Sequence, residues 1–232
     1  MSCQNRQVTA ESLAAQMRAK RSELMLSELE GVALRLFEER GFDTVTVEEI
    51  AAAAHISVRT FYRYFPAKED VLQVKIDRRS RALREALATR PADEAPLHSL
   101  RVALQEVVSA EDPAYGRRWT TVVAATPGVL NSVIGGIHLK SHRAVAEFLG
   151  SRLGVPSDGL VPTMLAAAVG GVVQAASTQW FIQGGDLATM ISEGLEVLEQ
   201  GIGADPRTWA GPPGQARRVT SGRRTGRRRP GG

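Results

Sequence analysis

Apolar positions along the chain recur with a period close to 3.6, and no alternating period-two run sits between hairpin turns. From Ser22 to Arg40, the residues Met25, Leu29, Val32, Ala33, Leu36 and Phe37 fall at i, i+4, i+7, i+8, i+11 and i+12, one stripe on a helix. Gly41 follows where a left-handed terminal residue is wanted, and Phe42 is placed to fold back on Phe37. The next helix opens with three signals: Thr46 as N-cap, Glu49 completing a capping box, and Val45 with Ile50 as a hydrophobic staple. It runs through Ala54. Ser57 then caps another helix, with Ile56 and Phe61 in the staple positions. Two helices joined by so short a turn have the spacing of a helix-turn-helix, and Ala51 supplies the small residue where they cross. Further helices are expected near Lys68 to Thr89, Leu97 to Ala110, Ala114 to Ala125, Pro127 to Leu153, Leu160 to Gln183 and Asp186 to Gly201, separated by turn-rich segments. The expected fold is all-α.

The helix opened by Ser57 has two distinct faces. Phe61 and Phe65, at i and i+4, face inward, while Arg59, Thr60, Tyr62, Arg63 and Tyr64 are left to solvent or a ligand. Guanidinium groups interleaved with hydroxyls suit a nucleic acid: Arg forks onto guanine O6 and N7, and hydroxyls donate to phosphate oxygens. From residue 55 to 79, six Lys and Arg (Arg59, Arg63, Lys68, Lys75, Arg78, Arg79) stand against three acids, placing positive charge where DNA would lie. Helix-turn-helix geometry also occurs as plain packing, and an Arg-rich face is often merely solvated, so the pattern alone leaves both readings open.

Composition narrows the class without naming a function. The 232 residues, 43% hydrophobic and 23% charged, are those of a globular chain and fit two small domains better than one large one. A single cysteine, Cys3, excludes a disulfide framework and suits a reducing compartment. The net charge of +4 is uneven. Residues 203 to 232 carry eight Arg against Asp205, which is +7 and leaves −3 for the remainder. That Gly-, Pro- and Arg-rich tail is too poor in apolar residues to offset chain entropy and is expected to be disordered. With no secretory leader pattern and no uninterrupted apolar run of 18 residues, a cytoplasmic chain without membrane contact is expected.

The stretch from Thr46 to Leu72, with its Thr-Phe-Tyr-x-Tyr-Phe-x-x-Lys run (Thr60 to Lys68) after a capped Ile-Ala helix, resembles the DNA-binding domain of the tetracycline-repressor (TetR) family. The preceding helix, ending Phe-x-x-x-Gly-Phe (Phe37 to Phe42), fits the same family, and the resemblance covers about residues 22 to 75. It implies four parts: a leader over 1–20 expected as disordered, a three-helix DNA-binding domain over 21–67, a helical effector-binding and dimerisation domain over 68–202, and the Arg-rich tail over 203–232. By resemblance, Val58, Arg59, Thr60 and Arg63 match base-facing positions, and Thr46, Tyr62, Tyr64 and Lys68 match phosphate-contacting ones. His55 departs from the family, which usually has a turn glycine there; His is among the few other residues that tolerate positive φ.

The resemblance further implies a homodimer on a palindromic double-stranded operator, acting as a ligand-responsive repressor. Small residues in the helix 160–183 allow close helix approach, so Ala167, Gly171 and Ala175, with Leu195 and Leu198 of the last helix, are expected at the dimer contact; a crossing within one subunit is the alternative. A pocket for a small, largely apolar effector is expected among Trp119, Val123, Ile134, His138, Val169 and Trp180, with Arg117 and Arg118 placed to meet an acidic head group; ordinary core packing and solvation are the competing readings. A constitutive DNA-binding protein without effector, or a small helical enzyme, are the rival functions. His138 and His142 have metal-binding spacing but no third ligand, and neither a phosphate-cradling glycine loop nor a nucleophile elbow is found. No cofactor, metal or catalytic residue is expected.

Overall fold

In a computed structural model the chain is helical throughout the described residues, which are 3–201, with side chains described for 14–129 and 140–201. The helices are α1 (Cys3–Arg40), α2 (Val47–Ala53), α3 (Val58–Tyr64), α4 (Gln73–Ala88), α5 (Pro96–Ser109), α6 (Pro113–Ala124), α7 (Pro127–Leu153), α8 (Leu160–Gln183) and α9 (Leu187–Gln200), with a 3-10 turn, Lys68–Leu72, leading into α4. Expected limits hold to within a residue or two for α5 to α9. Residues 3–20 differ: instead of a disordered leader they form the start of α1, 38 residues long. The run Ala10 to Arg21 contains strong helix formers and neither Gly nor Pro, so nothing breaks the helix there. The apolar stripe from Met25 marks where α1 becomes packed rather than where it begins. The Arg-rich tail, residues 203–232, lies outside the described residues.

Two cores organise the molecule. The first gathers Leu29, Leu34 and Phe37 of α1, Ile50 of α2, Phe61 and Phe65, and Val71 and Leu72; it also takes in Trp119, Val122 and Val123 of α6. The second lies among α4, α5, α7, α8 and α9 around Leu83, Leu100, Leu149, Ile191 and Leu195. The expected boundary at residues 67 and 68 is therefore no gap in packing, because α6 seats its apolar face in the core of the helix-turn-helix. Trp119 Nε1 donates to the Leu72 carbonyl at 3.1 Å, and Arg118 pairs with Glu38 at 2.7 Å, so α6 is tied to the last turns of α1 and to the 3-10 turn.

Candidate nucleic-acid interface and effector cavity

The turn chemistry sets the two short helices before any ligand is considered. Gly41 adopts φ +83°, its N–H donates to Phe37 at 2.9 Å, and the Phe37 and Phe42 rings meet at 4.9 Å. Thr46 accepts from the Glu49 N–H at 3.2 Å while Glu49 accepts from the Thr46 N–H at 2.9 Å, the reciprocal box expected from the sequence. That N–H, with Arg40 beside it, holds the Glu49 carboxyl below the usual range. His55 takes φ 55°, the only positive φ outside glycine among the described residues, which closes the turn as the departure from glycine requires. Ser57 then accepts from Thr60 N–H at 3.1 Å and starts α3.

Phe61, fully buried, and Phe65 anchor α3, with ring centroids 5.3 Å apart. Arg59, Tyr62 and Arg63 share its exposed side. Tyr64 is half-buried, with the Arg63 guanidinium 5.1 Å from its ring centroid. Thr60 is half-buried and its hydroxyl lies 2.9 Å from that of Ser57. Val58 is turned part-way inward and packs on the first core. Thr46 is exposed, but its hydroxyl already caps α2. Lys68, expected at a phosphate, instead donates to the Phe42 and Val45 carbonyls at 2.8 Å each and lies 4.2 Å from the Phe42 ring centroid. It fastens the α1–α2 connection to the 3-10 turn. Lys68→Met should therefore unpair two carbonyls and lower the stability of the N-terminal unit by about 1 to 2 kcal/mol, read as a shift in thermal unfolding without DNA. An unchanged melting temperature with weakened DNA binding would restore the phosphate role.

The positive charge of residues 75 to 79 does not lie on this surface. Lys75 is buried, its Nζ 2.8 Å from Glu111, which also pairs with Arg79. Arg78 reaches Glu30 and Ser27 of α1 at 3.4 Å each. Burial raises the Glu30 carboxyl above its usual range in spite of Tyr115 and Arg78 beside it. In Lys75, burial and then the neighbouring Arg79 push the ammonium down to about 8, against the pull of Glu111.

Between α4, α5, α6, α7 and α8 lies a cavity of about 410 Å³. Of the expected pocket residues, Trp119 and Val169 line it. Val123 does not: it is buried in the first core. Trp180 also lies elsewhere, buried against α6, where the Arg117 guanidinium stands 4.6 Å from its ring centroid. Side chains of residues 130–139, including Ile134 and His138, lie outside the described residues. Arg117 and Arg118 are engaged by Trp180 and Glu38, so the cavity's cations are Lys75 and Arg79 instead. His142, which also lines it, donates from Nε2 to the Thr163 carbonyl at 3.0 Å. Sequence reasoning missed Lys75, Arg79 and His142 here; a cation at position 79 on the stripe Leu72, Ile76, Leu83 was the available signal.

α8 presents a second surface. It has no charged side chain, and Leu160, Met164, Ala167, Gly171, Ala175, Thr178 and Ile182 recur along one exposed side. Leu195, expected at a dimer contact, is instead buried in the second core, and Leu198 packs part-buried against that core. By length and composition α8 is the one helix among the described residues that passes as a membrane span.

An exposed recognition-type helix, held by a helix-turn-helix on an all-α body with a cavity between its helices, defines a DNA-binding transcriptional regulator. Residues 31–74 match the model of the bacterial regulatory proteins of the tetR family, and residues 94–203 match that of the MftR C-terminal domain. The chain belongs to the TetR family. It is 29% identical over 188 residues to the HTH-type transcriptional regulator TcmR of Streptomyces glaucescens, covering 75% of this chain and 83% of that protein. In fold it is similar to Thermus thermophilus FadR, a TetR-family repressor solved with lauroyl-CoA, at TM-score 0.53 and 24% identity over 76% of this chain and 94% of that one. It is likewise similar to the triclosan complex of SmeT, the repressor of a Stenotrophomonas maltophilia multidrug efflux pump, at TM-score 0.56 and 18% identity, covering 75% and 88%.

Proposed function

We propose that the chain is a ligand-responsive repressor that binds a two-fold symmetric operator as a homodimer. The observation that carries this reading is the position of the cavity: its wall is α4, which continues through one 3-10 turn from the recognition helix α3. A ligand that moves α4 changes the aim of α3 directly. Complexes of FadR with lauroyl-CoA and of SmeT with triclosan support an effector in this fold. The uncharged face of α8, with Ala167, Gly171 and Ala175 on it, supports a helix-to-helix contact with a second copy.

Arg59 and Arg63 read base edges, with Thr60 beside them and Val58 limited to contact at the edge of the helix. Tyr62, Tyr64 and the first turn of α2 at Thr46 meet phosphates. Two such helices must stand about 34 to 36 Å apart to enter successive major grooves. An effector that favours another spacing weakens operator binding by its differential affinity for the two states, about 1 to 3 kcal/mol. As a regulator acting on the chromosome, the protein works in the cytoplasm.

Footprinting on the DNA upstream of its own coding sequence tests the reading. A two-fold symmetric protected site, released by a ligand that fills the cavity, is expected; protection of random DNA alone sinks it, and specific protection that no cavity ligand weakens leaves a constitutive binder. Arg63→Ala should weaken the protected site by about 1 to 3 kcal/mol while leaving random-sequence binding nearly unchanged, as measured by fluorescence anisotropy at fixed salt. Equal losses on both DNAs would remove Arg63 from the base-reading set.

A further inference from the structure

The cavity has a charged end, and its charge is unbalanced. Lys75 and Arg79 line it, no carboxylate does among the described lining residues, and the segment 130–139 contains no acidic residue either. Both cations lean on one carboxylate, Glu111, which stands behind them in the α5–α6 connection. The other nearby acid, Glu30, is shared with Arg78. Three cations therefore face two carboxylates. The ammonium of Lys75 lies 4.8 Å from the centroid of the Trp119 ring, which itself forms part of the cavity wall. Burial and the neighbouring Arg79 already push Lys75 toward its neutral form, the sign of a site short of negative charge.

Away from this end the lining is mainly apolar, with hydroxyls at Thr120, Ser141, Ser177 and Thr178 and the polar side chains of His142 and Gln174. Two cations that share one carboxylate leave positive charge to be matched, and an anion that supplies the match gains charge-assisted hydrogen bonds beside the buried Lys75. We infer that the cavity selects an amphiphile with a single anionic head group, held between Lys75 and Arg79, with its apolar part along Leu83, Leu104, Val145 and Val169. This rests on the reading of the cavity as the effector site and adds the chemistry that site requires. The same two cations repel a cationic ligand and offer a neutral one hydrogen bonds but no charge to match.

The seat also explains how occupancy reaches DNA. Lys75 lies one turn of α4 before the adjacent Arg78 and Arg79; Lys75 and Arg79 serve the cavity, and Arg78 grips α1. A head group that competes with Glu111 for Lys75 and Arg79 loosens α4 from the α5–α6 connection while α4 still carries the helix-turn-helix.

Three probes of equal chain length separate charge from greasiness: decanoate, 1-decanol and decylamine, titrated into the full-length protein at pH 7 by isothermal calorimetry. Decanoate is expected to bind at least about tenfold more tightly than 1-decanol, and decylamine more weakly than either. Lys75→Met and Arg79→Met should each bring decanoate toward the affinity of 1-decanol while leaving 1-decanol unchanged, a pattern that a merely damaged fold does not give. Arg79 is part-exposed, so its variant reports even if the buried Lys75 substitution fails to fold. Equal affinity for all three probes, or a preference for decanoate that survives Arg79→Met, overturns the anion seat and leaves the cavity reading standing. No binding of any probe overturns both.

Discussion

Phe61→Ala is expected to abolish operator binding and to lower the stability of the N-terminal unit by about 3 to 5 kcal/mol. Phe61 is fully buried, and its ring meets Phe65 at 5.3 Å and Tyr62 edge-on at 5.8 Å. It is the main anchor of α3, a helix of seven residues. Seven residues do not hold a helix by propensity in water, so α3 exists because its buried side chains are seated in the first core. Removing the ring leaves a void in the first core, and the exposed side bearing Arg59 and Arg63 loses its aim. The second core shares none of these side chains. Most of the cavity wall belongs to α5, α7 and α8, and only Ile76 and Trp119 of its lining share the first core with Phe61, so ligand binding should weaken far less than operator binding. Thermal unfolding by circular dichroism, with anisotropy on operator DNA, checks both halves. Parental DNA affinity in Phe61→Ala would mean that α3 is held by something other than its buried face.

What the sequence made legible follows how local each determinant is. Caps, terminal glycines and helix-opening prolines act within four residues of one another, so Thr46 with Glu49, Gly41 with Phe42, and the limits Pro127–Leu153 and Leu160–Gln183 could be read off directly. The positive φ at His55 belongs to the same class, since a turn of fixed length forces it. The misses depend on partners distant in the chain. Lys68 is paired with carbonyls 23 and 26 residues away, and Arg118 with Glu38 at the far end of α1. A cation counted along the chain looks free until its partner is placed in space. Val123 and Trp180 are apolar residues on middle helices, yet which apolar face meets a cavity and which meets a core is settled by helix rotation, and periodicity fixes that only relative to the same helix. Leu195 shows the limit from the other side: it lies on an apolar stripe, but that stripe is consumed within its own subunit.

The buried ammonium of Lys75 should write itself into the pH dependence of stability. In the folded protein it titrates at about 8, while an ordinary lysine, and hence the unfolded chain, titrates at 10.5. Below pH 8 both states hold the proton, and the folded state bears the full cost of a charge kept out of water beside Arg79. Between 8 and 10.5 the unfolded chain still binds a proton that the folded protein has released, so stability contributed by this group rises with pH across that window. The gap amounts to about 3 kcal/mol at most. Other lysines and tyrosines titrate over the same range, so the measurable quantity is a difference. The unfolding free energy of the parent minus that of Lys75→Met, from urea denaturation at steps between pH 7 and 10.5, should increase by up to about 3 kcal/mol and level off above. Decanoate should oppose the trend, because an anion seated on Lys75 keeps the ammonium charged and draws its titration back upward. A pH-independent difference between parent and variant would show that Lys75 is fully neutralised by Glu111, leaving no surplus charge for a ligand to match.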